Sequence, residues 1–166
     1  METELRQPPL RLTQLLVPSS ILTSSLRGLR SYWPAEGLCY WYGREIDDQL
    51  GLVMVVAFPR IYSTSTSFEL VSGQMSQLTT WSAREGLWLL AQAHTHPTDE
   101  PHSDADEEWS PTHREGFLSV VIPFGAHFSD NRVPHFRLFE CDSTGDWIDA
   151  PDNRIRILDD VWLPAR

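Results

Sequence analysis

The run GLVMVVAF at residues 51–58 is apolar at almost every position and stops at Pro59. It has the length of a strand and falls far short of the ~18 apolar residues that a membrane-spanning helix needs. A strand without polar alternation is covered on both faces, so it belongs inside a sheet that carries further layers on each side. Other runs have a similar character. Residues 38–42 (LCYWY, ending at Gly43), 88–93 (WLLAQA) and 117–122 (FLSVVI, closed by Pro123) each read as a strand. Residues 68–71 and 135–141 (HFRLFEC) add two more.

Between these runs the spacing turns helical. Ser19 or Ser20 is placed to cap a short helix whose Ile21, Leu22, Leu26 and Leu29 share one face. Residues 74–87 carry Met75, Leu78, Trp81 and Leu87, with Gly86 weakening the end. Residues 11–18 look extended, 143–147 (STGDW) form a turn, 124–134 a polar loop, and 155–163 a last strand or a packed coil. No repeat or linker divides the 166 residues, so one domain over 1–166 is expected. Strands interleaved with a few helices give an α/β (α+β) fold, a mixed β-sheet sandwiched by helices.

Composition removes several classes of function. A formal charge of −10 disfavours a nucleic-acid binder and docking on an anionic membrane. Cys39 and Cys141 lie too far apart in sequence to be a disulfide framework, and read as reduced, buried thiols. The first residues, METELRQPPLRLTQLL, lack the apolar stretch of a signal peptide, so a soluble, cytoplasmic protein is expected. All 13 basic residues are arginine. Codon bias in a GC-rich genome is the ordinary cause of missing lysine; a second reading follows below.

Chemistry concentrates in AHTHPTDEPHSDADEEW, residues 93–109, which hold three of the chain's six histidines. His94 and His96 stand two apart at the end of a predicted strand, so their rings point to the same face with Cα atoms about 6.5–7 Å apart. That geometry lets two imidazoles grip one metal ion, and Pro97 then turns the chain. Asp106 can close a His2Asp set and leave a fourth tetrahedral position for water. The same residues also have a plainer reading. Ser103-x-x-Asp106 is spaced as a capping box, and residues 104–108 suit a solvated first helical turn. The two readings are compatible, since a rigid helix start is a good platform for a ligand.

HTHP followed by SDAD resembles the His-x-His-Pro…Ser-x-x-Asp signature of the JAMM (MPN-plus) zinc metallopeptidases, whose fold is cytidine-deaminase-like. That family carries a glutamate just before a short strand ending in glycine, and PAEGLCYWYG supplies Glu36 in that place. The likeness covers roughly residues 20–140 and is greatest to JAMM proteins of bacterial operons that also encode ubiquitin-activating and ubiquitin-conjugating homologues. It departs at one point: the family has one more residue between the proline and the serine than Pro97–Ser103 allows. Glu107 stands at the standard distance from Pro97 and Asp104 is the other competitor, but the phase relative to Ser103 favours Asp106.

The resemblance implies Zn²⁺ held by His94, His96 and Asp106, with Glu36 as general base and then acid. It also implies that the Ser103 hydroxyl donates to the developing oxyanion. It implies an isopeptidase or peptidase that cuts after the C-terminus of a ubiquitin-like or otherwise conjugated protein, in an anti-phage pathway with E1/E2-like partners. The missing lysines suit an enzyme that must not itself become an acceptor. Alternatives are a metal-free MPN scaffold and a hydrolase for sulfur-carrier or small peptide substrates. Of the other histidines, His102 and His113 read as surface, and His127 and His135 as structural.

Overall fold

The computed structural model describes residues 10–97, 103–123 and 135–159, without the side chains of Asp104 and Ala105. The first strand, β1 (Gln14–Pro18), runs directly into helix α1 (Ser19–Arg30). Pro18 occupies the N-cap position, so the helix begins at Ser19 and neither serine is the cap expected from the sequence. The reason is that Pro18 still belongs to the sheet, paired with Leu158, and its fixed φ leads straight into the first turn. Next come β2 (Leu38–Glu45), β3 (Leu50–Ala57), and a hairpin of β4 (Ile61–Ser63) and β5 (Phe68–Leu70). Helix α2 (Gln74–Glu85) ends before Leu87, because Gly86 takes a left-handed φ of 65° that stops it.

The remaining elements are β6 (Trp88–His96), a short helix α3 (Asp104–Glu108), β7 (Leu118–Pro123), β8 (Arg137–Cys141), β9 (Trp147–Asp149) and β10 (Ile155–Leu158). Eight strands form one mixed sheet in the order β10-β1-β3-β2-β6-β7-β8-β9, and β4 and β5 form a separate pair. The run at 51–58 is interior as expected, with β1 on one side and β2 on the other. It is not buried throughout, however. Met54 remains 46% exposed, because the second layer covers β2 more fully than β3. The tail strand is confirmed in part: β10 pairs parallel with β1 as far as Leu158, and residues 160–166 lie outside the described residues. The polar loop expected at 124–134 also lies outside them.

Strand β2 shows why the sheet is sandwiched. Its Cys39 and Trp41 enter a core with Leu22 and Leu29 of α1, Val53 and Leu90. Leu38, Tyr40 and Tyr42 enter a second core with Phe68 and with Met75, Leu78 and Trp81 of α2. Alternating side chains thus feed opposite faces, with one helix on each. Tyr42 meets Trp81 edge-on with centroids 5.5 Å apart. The polar atoms in the α1 core are satisfied: Trp41 Nε1 donates to Ser25 Oγ at 2.9 Å, which donates to the Ile21 carbonyl at 2.8 Å. Among the described residues no helix is long and apolar enough to cross a membrane.

Candidate metal centre

Strand β6 runs on from its apolar stretch through both histidines, which stand at its end as expected, inside the sheet. The cause is β7, which pairs parallel with β6 as far as His96 opposite Pro123. His94 lies opposite Leu38 of β2, so its ring shares the face of the second core and lies 5.7 Å from the Phe68 ring. His94 is fully buried and His96 3% exposed. Their Nε2 atoms lie 3.1 Å apart, with the rings tilted 54° to one another.

Asp106 reaches the same point from α3. Its Oδ1 lies 3.2 Å from His94 Nε2 and its Oδ2 3.2 Å from His96 Nε2, and the residue is 2% exposed. Ser103 holds it there as a capping box. The Ser103 N–H and Oγ–H donate to Asp106 Oδ2 at 2.7 and 2.9 Å, and the Asp106 N–H donates back to Ser103 Oγ at 3.3 Å. Burial alone pushes the Asp106 carboxyl up. Hydrogen bonds from both imidazoles, the His94 charge and the Ser103 backbone outweigh it and hold the group well below the ordinary carboxylate range. Of the competing carboxylates, Glu107 faces solvent, and the Asp104 side chain is not among those described. The carboxylate that meets the two rings is that of Asp106.

The donor set fits a metal ion. One ligand atom from each of His94, His96 and Asp106 falls within 4.8 Å of the others. Bonds of ~2.0 Å around a tetrahedral ion place ligand atoms roughly 3.3 Å from one another. The observed separations of 3.1 and 3.2 Å match that spacing.

Glu36 is 4% exposed and precedes β2. Leu38 pairs with His94, and the Thr95 N–H donates to the Gly37 carbonyl at 3.1 Å. Glu36 is the next residue outward, so it lies at the end of the sheet where β6 carries His96. The Glu36 N–H donates to the Thr64 carbonyl at 2.7 Å. The structure therefore draws Glu36, His94, His96, Ser103 and Asp106 to one end of the sheet. His113 faces solvent, its Nδ1 3.1 Å from the Gly145 carbonyl, and His135 is exposed, while His102 and His127 lie outside the described residues.

Several neighbours of the site carry no sequence signal. Tyr40, Gln92 and Ser119 stand opposite one another across three strands, one row below His94, all fully buried. Gln92 Nε2 donates to Ser119 Oγ at 3.1 Å. Only strand pairing brings them together, and no local spacing could have found them. Burial pushes the Cys39 thiol up to about 12 and that of Cys141 up to about 11, which disfavours the nucleophilic thiolate.

Two imidazoles and a carboxylate converging in a buried cup, at the end of the sheet that also carries the buried Glu36, make a site able to hold a metal ion. The comparisons agree with that reading. Probable metalloprotease y4jG of Sinorhizobium fredii (strain NBRC 101917 / NGR234) is 30% identical over 121 residues, covering 70% of this chain and 73% of its own. The chain belongs to that protein's family, which is metalloprotease-like. The solution structure of protein DSY2949 from Desulfitobacterium hafniense matches with a TM-score of 0.65, over 89% of this chain and 95% of that one. At 17% identity, that likeness is one of fold. No known family profile matches the chain.

Proposed function

We propose that the chain is a zinc-dependent peptidase of the JAMM type. It hydrolyses the peptide or isopeptide bond that follows the C-terminus of a ubiquitin-like or otherwise conjugated protein. The observation that carries the reading is the convergence of His94, His96 and Asp106 in one buried cluster, with the buried Glu36 two residues before Leu38, the strand partner of His94. His94, His96 and Asp106 would hold the metal, and two imidazoles with one carboxylate are a ligand set that suits zinc. When bound, the ion supplies Lewis acidity toward a carbonyl and toward water.

The rest is done by the chain's own residues. Glu36 takes a proton from the attacking water and delivers it to the leaving amine. Its burial excludes bulk water from that exchange. The single hydroxyl hydrogen of Ser103 is engaged by Asp106, so its first task is to hold that carboxylate. Donation to an oxyanion requires the hydroxyl to swing away from Asp106 as negative charge develops. The substrate tail binds extended, as an added strand near the site. The motif resemblance extends the proposal to a bacterial ubiquitination-like defence pathway, with E1/E2-like proteins as partners.

The test is cleavage of a ubiquitin-like protein joined through its C-terminus to a lysine, by the wild type, by the chelator-treated protein and by Glu36→Gln. General acid–base groups contribute about 10²–10⁴-fold, so Glu36→Gln should lose at least the lower figure. Chelation should abolish turnover and added zinc restore it. Cleavage that survives both treatments sinks the reading.

A further inference from the structure

We infer that Thr95, between the two candidate ligands, is a positioning residue whose hydroxyl fixes the backbone that presents Glu36. The inference rests on the role proposed above for Glu36, and it concerns a residue outside the ligand set.

His94 and His96 alternate onto one face of β6, which leaves the Thr95 side chain off that face, 1% exposed. In a regular antiparallel ladder, two residues in a hydrogen-bonded pair exchange both N–H···O=C bonds. Gly37 and Thr95 depart from that rule. The Thr95 N–H donates to the Gly37 carbonyl at 3.1 Å, but the Gly37 N–H donates to Thr95 Oγ1, at 2.8 Å, and not to the Thr95 carbonyl. The side chain has taken over half of the ladder at the point where the chain enters β2.

The consequence falls on the next residue outward. Glu36 donates its N–H to the Thr64 carbonyl at 2.7 Å, just past β4, so the backbone has left the sheet there. Gly37 itself is closely packed, with no room for a side chain. A Cβ at that position would lie 2.9 Å from Tyr32 Cδ2 and 3.0 Å from the Leu29 carbonyl oxygen. The turn carrying Glu36 is thus held by the Thr95 hydroxyl, by Thr64, and by the packing of Tyr32 and Leu29. Of these, Thr95 alone belongs to the strand that carries the histidines, so it ties the position of the carboxylate to that of the ligands. A valine of similar shape would fill the same space, and it would leave a buried Gly37 N–H without its acceptor.

Thr95→Val and Thr95→Ser in the full chain test this, with Glu36→Gln as reference. Zinc affinity is read by chelator competition, kcat and KM are read on the conjugate substrate, and exchange of the Gly37 amide is read by NMR. Thr95→Val should keep its zinc affinity and KM, lose kcat by about 10²-fold, as a displaced catalytic group does, and exchange the Gly37 amide faster. Thr95→Ser should restore kcat and protection together. Should the valine variant not fold, Thr95→Cys, with a weak sulfur acceptor, gives the same reading. Wild-type kcat in the valine or cysteine variant, a kcat loss accompanied by zinc loss, or failure of serine to rescue would overturn the inference. Wild-type kcat in Glu36→Gln instead overturns the proposed role of Glu36, and the inference with it.

Discussion

Asp106 is held from two sides, by the Ser103 N–H and hydroxyl on one and by the two imidazoles on the other. These partners favour the ionised form strongly enough to overcome burial. A carboxyl depressed in the folded state contributes stability above its unfolded pKa and loses it as the pH falls through the folded value. The metal-free protein should therefore lose stability on acidification below the ordinary 3.8, read as a falling urea midpoint. Asp106→Asn, which cannot ionise, should show a flatter acid limb; an identical limb would mean that the carboxylate is not held as described. At this scale, His94, His96 and Asp106 are legible in the sequence because their spacing is local. Glu36 becomes legible only through a motif resemblance. Thr95 and Gly37 are not legible at all, since their bond joins positions 58 apart.

Helix α3 has five residues, too few to be stable alone, and it exists because Ser103 and Asp106 cap it reciprocally. The expected capping box and the expected ligand are thus one structure: the contact that starts the helix also aims the carboxylate. Ser103→Ala should cost about 1 kcal/mol through the lost cap. It should also weaken zinc binding about 10–100-fold through the lost support of a ligand. Thermal unfolding and chelator competition read these separately. Unchanged zinc affinity with reduced kcat would assign Ser103 to the oxyanion alone. Other element boundaries have physical causes of the same kind. Strand β6 outruns its apolar stretch because β7 pairs with it up to Pro123, and α1 starts without a serine cap because Pro18 is still in the sheet. Long-range pairing decides both, and local spacing cannot report it.

The whole molecule is a mixed sheet with α1 on one face and α2 on the other, and the candidate centre lies on the α2 face, where β2, β6 and α3 meet. The layered fold could be read from the apolar runs, because strands such as 117–122 and 38–42 admit no solvent on either side. The order of the eight strands could not, since the parallel pairs β1–β10 and β6–β7 join segments with no shared local pattern. This architecture keeps two imidazoles and a carboxylate within 4.8 Å of one another, all three almost fully buried. Such an arrangement is costly unless a cation completes it. Whether a metal ion does so is read from the zinc content of the dialysed full chain beside that of His96→Ala. A metal centre with three protein ligands should hold about one zinc per wild-type chain and far less in the variant. Wild-type protein that retains no zinc, or a variant that retains as much as the wild type, would contradict it.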